Sequence, residues 1–336
     1  MSSVKDFSGL KAVSGPYLIS ENQLRVAKNG SFYLALKLTD PSGDLAAKVW
    51  EADEELFKLL AVGNVIELNN IQPKVFKDQI QLEWDAKNRT SFKLIPEEEV
   101  DFSRFLPHSP ANLTICWEKL QQVIASIQEE TLQKVIKFFF DDQTFSTSFM
   151  KVPAALKRHH AYLGGLLEHT AGVTALCQAA AEYYPLVNRD LLLTGALLHD
   201  IGKTRTYKMG KGFDGTDEGK LIGHLVLGVE MVERAFSQIS LSQTGPLTQL
   251  QNNLLHLLVS HHGIMEWGSP IEPLTLEACI LHHADNMDAQ VIKFLTVIRN
   301  QEPGIEWAAY DPGLGRSIFM GGLPIEDAGP KLGEGV

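Results

Sequence analysis

The sequence has little of what marks secreted, zinc-ribbon or membrane proteins. Its 336 residues include three cysteines, which lie far apart and form no Cys-x-x-Cys spacing. This argues against a disulfide framework and against a zinc ribbon. The N-terminal residues lack a basic stretch followed by an apolar core, and no apolar run reaches the roughly 20 residues that span a bilayer. We therefore expect a cytoplasmic protein with no membrane partner.

Positive charge is also scarce. Lys and Arg number 30 against 41 Asp and Glu, which leaves a net charge of −11. This balance argues against a surface that binds duplex DNA through a coat of positive charge, so a nucleic-acid partner would need a local groove. The length and the 44% hydrophobic content are sufficient for two domains with ordinary cores.

The pattern of residues 1–95 predicts a small β-barrel. Apolar and polar residues alternate over 31–38 and 45–50, and turn-forming residues separate these segments, which predicts a hairpin. A short helix is predicted over 53–60, followed by strands over 65–68 and 79–84. Strands interrupted by one short helix within about eighty residues are typical of a closed barrel of the oligonucleotide/oligosaccharide-binding (OB) type.

After residue 95 the alternating pattern of apolar and polar residues ends. Residues 96–112 are predicted to be a linker, because 96–110 contain four carboxylates, three prolines and no clear periodicity. From 113 to 312 apolar residues recur with helical spacing, which predicts an all-α domain. The Gly- and Pro-rich residues 313–336 predict a flexible tail. The predicted fold is thus multidomain, with an N-terminal small OB-like β-barrel followed by an all-α domain.

Histidine is concentrated in one segment, since ten of the eleven histidines lie between 159 and 283. Helices of one bundle can direct side chains into a shared cavity. Imidazole and carboxylate suit Mn, Fe, Co, Ni or Zn, and the carboxylates also tolerate Mg. The alternative for any single histidine is a helix cap or a surface group. Seven residues on or at the ends of predicted helices are candidate metal ligands: His169, His199, Asp200, His224, His261, His262 and Asp285.

The order of these ligands, a histidine, a His-Asp pair, further histidines and a final aspartate, resembles the HD superfamily of metal-dependent phosphohydrolases over about residues 155–300. The resemblance implies one metal held by His169, His199, Asp200 and Asp285. For members with two metals it implies His224 together with one or both of His261 and His262, and Asp200 could bridge the ions. Two divalent ions close together activate a bridging water and neutralise phosphate charge, so phosphodiester hydrolysis is the expected reaction.

Two more side chains join Asp200 as candidates for catalysis. Lys203 follows Asp200 by three residues and could place its ammonium on a phosphate oxygen. The alternative for Lys203 is a solvated lysine in the last turn of a helix. His160 precedes a predicted helix start at Gly164 and could assist protonation of the leaving oxygen. The alternative for His160 is a structural role.

Aromatic and basic side chains alternate within the predicted barrel. Aromatic rings stack on bases and lysines hold the backbone in proteins that grip single strands. The alternative is a barrel core with solvated lysines. The residues that favour nucleic-acid binding are Tyr33, Lys37, Lys48, Trp50 and Phe76.

The order of the parts narrows the resemblance. The sequence resembles the YhaM-type 3′-5′ exoribonucleases across about 300 residues. The resemblance rests on a predicted barrel followed by the histidine-rich segment 159–170, the Ser-His-His-Gly of 260–263 and the aspartates of 283–289. This resemblance implies a bacterial cytoplasmic enzyme that releases nucleoside 5′-monophosphates from the 3′ end of single-stranded RNA, with Mn the favoured metal. It leaves single-stranded DNA open as a substrate.

The sequence leaves two other functions and a homo-oligomer open as alternatives. One rival is an HD phosphohydrolase of small nucleotides or cyclic dinucleotides, whose barrel serves regulation or assembly. A second is a nucleic-acid-binding protein with an inactive HD domain. Amphipathic segments such as 116–140 leave a homo-oligomer open, although burial within the same chain is the commoner use.

Overall fold

A computed structural model of the chain describes residues 12–40, 43–76, 79–88, 90–156, 159–240, 248–299, 301 and 304–321. The chain divides into two compact units. One contains the residues up to Pro107 together with Met209–Gly212, and the other contains His108–Lys208 and the residues from Phe213 onward. Among the described residues, no helix is long and apolar enough to cross a membrane.

The first unit contains a mixed sheet of seven strands with one short helix. The order across the sheet is β5-β6-β3-β2-β1-β4-β7, and the β3–β6 pair is the parallel one. The predicted hairpin is formed by β2 and β3, and its turn residues Pro41 and Ser42 lie outside the described part of the chain. The elements are β1 (Val13–Val26), β2 (Phe32–Asp40), β3 (Gly43–Trp50), α1 (Glu54–Leu59), β4 (Val65–Ile71), β5 (Pro73–Phe76), β6 (Gln79–Asp85) and β7 (Phe92–Ile95).

The sheet is OB-like, but its ladders do not close as we expected. β1 is long and shifts register twice, so that its first part pairs with β4 and its second part with β2. β4 and β5 are separated by Gln72 alone, and β5 pairs with β6. In the described residues, the edge strands β5 and β7 are not hydrogen-bonded to each other. The predicted closure of the barrel was therefore wrong, because β4 pairs with β1, β5 pairs with β6, and no ladder in the described residues joins the two edges of the sheet.

One face of this sheet forms an apolar core. Alternate residues of β2, such as Leu34 and Leu36, are buried, and so are alternate residues of β3, such as Ala47 and Val49. The segment that we assigned to a linker continues onto this unit: Phe105 is buried against Val65. The alternation that predicted strands is thus the alternation between a core face and an outer face.

The second unit is helical, as predicted. Asn112, Asp142 and Asn188 start three of its helices, each by accepting a backbone N–H hydrogen bond with its side chain. A two-stranded sheet, β8 (Tyr207–Met209) and β9 (Phe213–Gly215), interrupts the helices. The helices are α2 (Leu113–Ser126), α3 (Glu130–Phe140), α4 (Gln143–Lys151), α5 (Gly165–Tyr183), α6 (Arg189–Leu198), α7 (Lys203–Thr206), α8 (Asp217–Leu221), α9 (His224–Ser240), α10 (Thr248–Ser260) and α11 (Leu276–Arg299).

Helix α6 is the most deeply buried of these elements. Every residue from Leu191 to Leu198 is buried, and α6 packs against α5, α10 and α11. Its apolar run therefore carries the residues that follow it into the centre of the unit.

The end of the described chain packs as well. Ile318 and Met320, which fall in the predicted tail, are buried in a small cluster with Val297 and Ala308. The remainder of that tail, residues 322–336, lies outside the described residues.

Candidate metal centre

Five elements of the helical unit contribute the candidate ligands. His169 lies in the first turns of α5, and Asp285 lies near the middle of α11. The His199-Asp200 pair directly follows α6, His224 begins α9, and the His261-His262 pair directly follows α10. His169, His199, Asp200 and His261 are almost completely buried. A cluster of imidazoles and carboxylates at this depth requires partners for its polar atoms.

In one group, a carboxylate oxygen of Asp200 and one of Asp285 lie close to the ring nitrogens of two histidines, His169 and His199. His169 Nε2 lies 3.2 Å from His199 Nε2, 3.4 Å from Asp200 Oδ2 and 3.0 Å from Asp285 Oδ1. His199 Nε2 lies 3.4 Å from Asp200 Oδ2 and 3.9 Å from Asp285 Oδ1. Two ligand atoms about 2.1 Å from one ion lie roughly 3.0–3.4 Å apart at octahedral or tetrahedral angles. The spacing of His169, His199 and Asp200 therefore fits one metal ion, and Asp285 lies beside both histidines as the fourth candidate ligand.

A second group meets the other oxygen of the same aspartate. Asp200 Oδ1 lies 3.5 Å from His224 Nε2 and 3.7 Å from His261 Nε2. Nitrogen atoms of His224, His261 and His262 all lie within 4.8 Å of one another. Asp200 thus presents one carboxylate oxygen to each group.

Hydrogen bonds fix the tautomers of three histidines. The Nδ1 atoms of His199, His261 and His262 lie 2.8, 2.8 and 2.9 Å from the carbonyl oxygens of Ala196, Leu258 and Trp267. A carbonyl oxygen can only accept, so each Nδ1 donates, and the neutral ring keeps its lone pair on Nε2. These lone pairs are available to a metal.

Two buried atoms test whether the site fits a metal. Asp200 Oδ1 and His224 Nε2 are buried, and neither has a hydrogen-bond partner among the described residues. Burial lowers the pKa of His224 to about 3, so its ring is neutral at neutral pH. Burial alone would raise the pKa of Asp200, but Lys203 and His199 outweigh it and hold the pKa well below its usual range. The free Oδ1 of an ionised carboxylate and the free Nε2 of a neutral imidazole are donor atoms of the kind that a divalent cation uses.

Asp288 is a member of the site that our sequence reasoning missed. Its Oδ2 accepts hydrogen bonds from His169 Nδ1 at 2.7 Å and from His160 Nε2 at 2.8 Å. Metal-binding histidines commonly donate their second N–H to a carboxylate, which orients the ring. The available signal was the spacing of Asp285 and Asp288, because residues three apart share one face of a helix.

His160 lies behind the metal ligands. Its side chain is buried, its backbone has a positive φ of 52°, and its Nδ1 lies 2.8 Å from the hydroxyl oxygen of Tyr162. Both ring nitrogens therefore have partners, since Nε2 contacts Asp288. In this arrangement His160 reaches His169 through Asp288, and its predicted part in proton transfer stays a prediction.

Lys203 is also turned toward the centre. Its Nζ donates to Asp200 Oδ2 at 2.5 Å, and its side chain is buried. Burial would lower the pKa of Lys203, but the carboxylate of Asp200 outweighs it and raises that pKa above its usual value. Lys203 therefore carries a positive charge beside the candidate ligands, and its contact with phosphate stays a prediction.

Four of the five predicted nucleic-acid residues share one face of the β2–β3 hairpin. Tyr33 pairs with Trp50 across the strands, and their rings lie 5.0 Å apart. Lys48 Nζ lies 5.9 Å from the Trp50 ring. Lys37, on the same face, forms ion pairs with Glu21 and Asp44, which offset part of its charge. This face lies opposite the apolar core, so the rings do not belong to that core.

Phe76 ends β5, and its side chain lies outside the described part of the structure. The binding role of all five residues stays a prediction.

Comparison with known proteins first defines the class. Residues 166–290 match the model of the HD domain, and this range includes every candidate metal ligand. The chain is 32% identical over 291 residues to a 3′-5′ exoribonuclease YhaM of Bacillus velezensis, covering 86% of this chain and 88% of the relative. It is 31% identical over 287 residues to the YhaM of Bacillus subtilis, covering 85% and 88%. The YhaM of Listeria welshimeri is 32% identical over 300 residues, covering 89% and 92%. The chain belongs to the YhaM family of HD-domain proteins.

Proposed function

We propose that this protein is a metal-dependent 3′-5′ exoribonuclease that shortens single-stranded RNA and releases nucleoside 5′-monophosphates. The observation that carries the proposal is the convergence of Asp200 Oδ2 and Asp285 Oδ1, each within 3.9 Å of the Nε2 atoms of both His169 and His199, in an HD domain. Relatives that align along most of their length are named 3′-5′ exoribonucleases. We infer the RNA substrate and the direction of degradation from the names of those relatives.

We propose two divalent ions, with Mn favoured. The two oxygens of Asp200 face two separate sets of histidines, which supports a carboxylate that bridges two ions. Bound there, the ions supply an activated water and neutralise charge on the phosphate oxygens. Lys203 adds a fixed positive charge beside Asp200. Asp288 holds the ring of His169 so that its Nε2 faces the site.

We also propose that the face of the β2–β3 hairpin opposite the apolar core binds the longer part of an RNA strand. Tyr33 and Trp50 offer adjacent rings for base stacking, and Lys48 offers a charge for the backbone. Single-stranded DNA as a second substrate, a homo-oligomer and a cytoplasmic location remain parts of the same proposal.

The test is a time course with single-stranded RNA labelled at the 5′ or the 3′ end, read on a denaturing gel, with Mn and with metal-stripped protein. A 5′-labelled ladder that shortens stepwise, with immediate release of labelled mononucleotide from the 3′-labelled strand, is the expected result. Untouched RNA in the presence of bound metal would refute the exoribonuclease and favour a phosphohydrolase of small nucleotides.

A pair of variants links the activity to the site. Asp200→Ala removes the carboxylate that faces both sets of histidines, so hydrolysis should be lost while binding of single-stranded RNA stays nearly intact. Asp141→Ala is the matched control, because Asp141 is an exposed aspartate at the end of α3. Activity retained by Asp200→Ala would contradict the metal mechanism.

A further inference from the structure

Exposed apolar side chains lie within five residues of two candidate ligands in the chain. The rings of His224 and His262 lie 5.1 Å apart, so the segments around these two residues are neighbours. Directly after His262, the side chains of Met265 and Trp267 are 66% and 52% exposed. Around His224, Leu221 and Val226 are exposed as well. Apolar groups of this size on both sides of a polar cluster mark a binding surface.

The segment with Trp267 is a tightly held turn. Gly263 has a positive φ of 82°, and a Cβ there would lie 2.1 Å from Cε1 of His282. The backbone N–H of Gly268 donates to the carbonyl oxygen of Met265 at 2.8 Å. The buried hydroxyl of Ser269 donates to the carbonyl oxygen of Val259 at 3.0 Å. The turn therefore presents the exposed indole from a fixed backbone.

The same turn is connected to the candidate ligands. The carbonyl oxygen of Trp267 accepts the Nδ1–H of His262 at 2.9 Å. The indole ring lies 6.2 Å from the ring of His282, whose Nδ1 donates to the carbonyl oxygen of His261 at 2.9 Å. Trp267 is thus held at a set position relative to both histidines that follow α10.

We propose that Trp267 is a stacking platform for a nucleobase that flanks the scissile phosphodiester at the 3′ end of the RNA. A flat, rigid and exposed aromatic ring beside a site for phosphodiester hydrolysis matches the flat apolar face of a base. The platform positions the last nucleotides of the strand and tolerates all four bases, because every base has a π-face. This inference rests on the proposed function.

The experiment compares RNA strands that are intact or that carry abasic residues at the last two positions. The wild-type protein should prefer the intact strand by about 5- to 150-fold in kcat/KM, the range expected for one stacked base. Trp267→Ala should lose most of this preference, and Trp267→Phe should keep most of it. Trp307→Ala is the matched control, because Trp307 is 59% exposed and lies beyond the end of α11.

Two further measurements separate stacking from damage to the site. Hydrolysis of the strand that carries abasic residues at the last two positions should be the same in Trp267→Ala and in the wild type. Binding of a short RNA to metal-stripped protein, followed by fluorescence anisotropy, should weaken in Trp267→Ala for the intact strand only.

The outcomes have distinct meanings. Wild-type protein that degrades neither strand refutes the proposed function itself. Wild-type protein that degrades RNA while Trp267→Ala keeps the full preference for the intact strand overturns the platform. A Trp267→Ala variant that also loses hydrolysis of the abasic strand overturns it too, since the residue would then act through His262.

Discussion

Asp288 provides a direct test of how the metal centre is held together. Its Oδ2 accepts hydrogen bonds from His169 at 2.7 Å and from His160 at 2.8 Å. Asp288→Ala leaves the ring of His169 without this acceptor. Loss of such a partner lowers metal affinity about 10- to 100-fold, which corresponds to about 1.4–2.8 kcal/mol. Asp288→Asn should lose less, because an amide oxygen can still accept.

A second perturbation reaches the same carboxylate from α5. A Cβ at Gly172 would lie 2.2 Å from Asp288 Oδ1, so Gly172→Ala forces the carboxylate to move. Alanine is the better helix former by about 1 kcal/mol, so the helix itself gains while metal affinity falls. Gly228→Ala in α9 is the matched control, because its Cβ would meet its nearest heavy atom at 3.6 Å, an ordinary contact.

The assay is titration of metal-stripped protein with Mn in a calorimeter at fixed pH. We expect Asp288→Ala and Gly172→Ala to bind more weakly than the wild type, and Gly228→Ala to bind equally well. Circular dichroism before the titration checks that each variant is folded. Wild-type affinity in the folded Asp288→Ala variant would refute the idea that this carboxylate orients His169.

Three further predictions concern metal removal and stability. A chelator should abolish RNA hydrolysis, and excess Mn should restore it; hydrolysis that persists in metal-stripped protein would contradict the site. Phe149 is fully buried and packs on Phe140 at 5.2 Å between ring centres, so Phe149→Ala should lower the free energy of unfolding in urea by about 3–5 kcal/mol. Asn22 Nδ2 donates to the carbonyl oxygens of Phe57 and Leu60 at 2.9 and 2.8 Å, and Asn22→Ala should cost about 1–3 kcal/mol by the same measurement. Unchanged urea midpoints would contradict the last two.

Local patterns predicted most elements of the fold. The two faces of β2 and β3 follow from strict alternation, and α6 follows from an apolar run after the capping residue Asn188. The short strands β5 and β7 were missed, since four residues each are too few to show a period. We predicted closure of the barrel from the type of fold, whereas the observed edges depend on how β4 and β5 pair with strands distant in the chain.

The candidate ligands were predictable from residue type and order, but the residues that hold those ligands in place were not. His199 and Asp200 are adjacent in sequence and follow a buried helix, so their place in the core follows from local pattern. Asp288 has no such signal beyond its spacing from Asp285, because its partners lie 119 and 128 residues away. The turn that holds Trp267 is fixed by contacts with α10 and with His282, which no local pattern reveals.

The wide separation of the ligands along the chain has a consequence for biosynthesis. His169 and Asp285 are within 3.0 Å of each other, yet Asp285 and its neighbour Asp288 lie on α11, the last long helix of the described chain. A ribosome must therefore complete α11 before the first set of ligands exists. A growing chain with only α5 to α10 lacks the carboxylate that completes this set, so the first set of candidate ligands comes together only when most of the described chain has been synthesised. The order of the ligands along the polypeptide thus links assembly of the candidate metal centre to synthesis of α11.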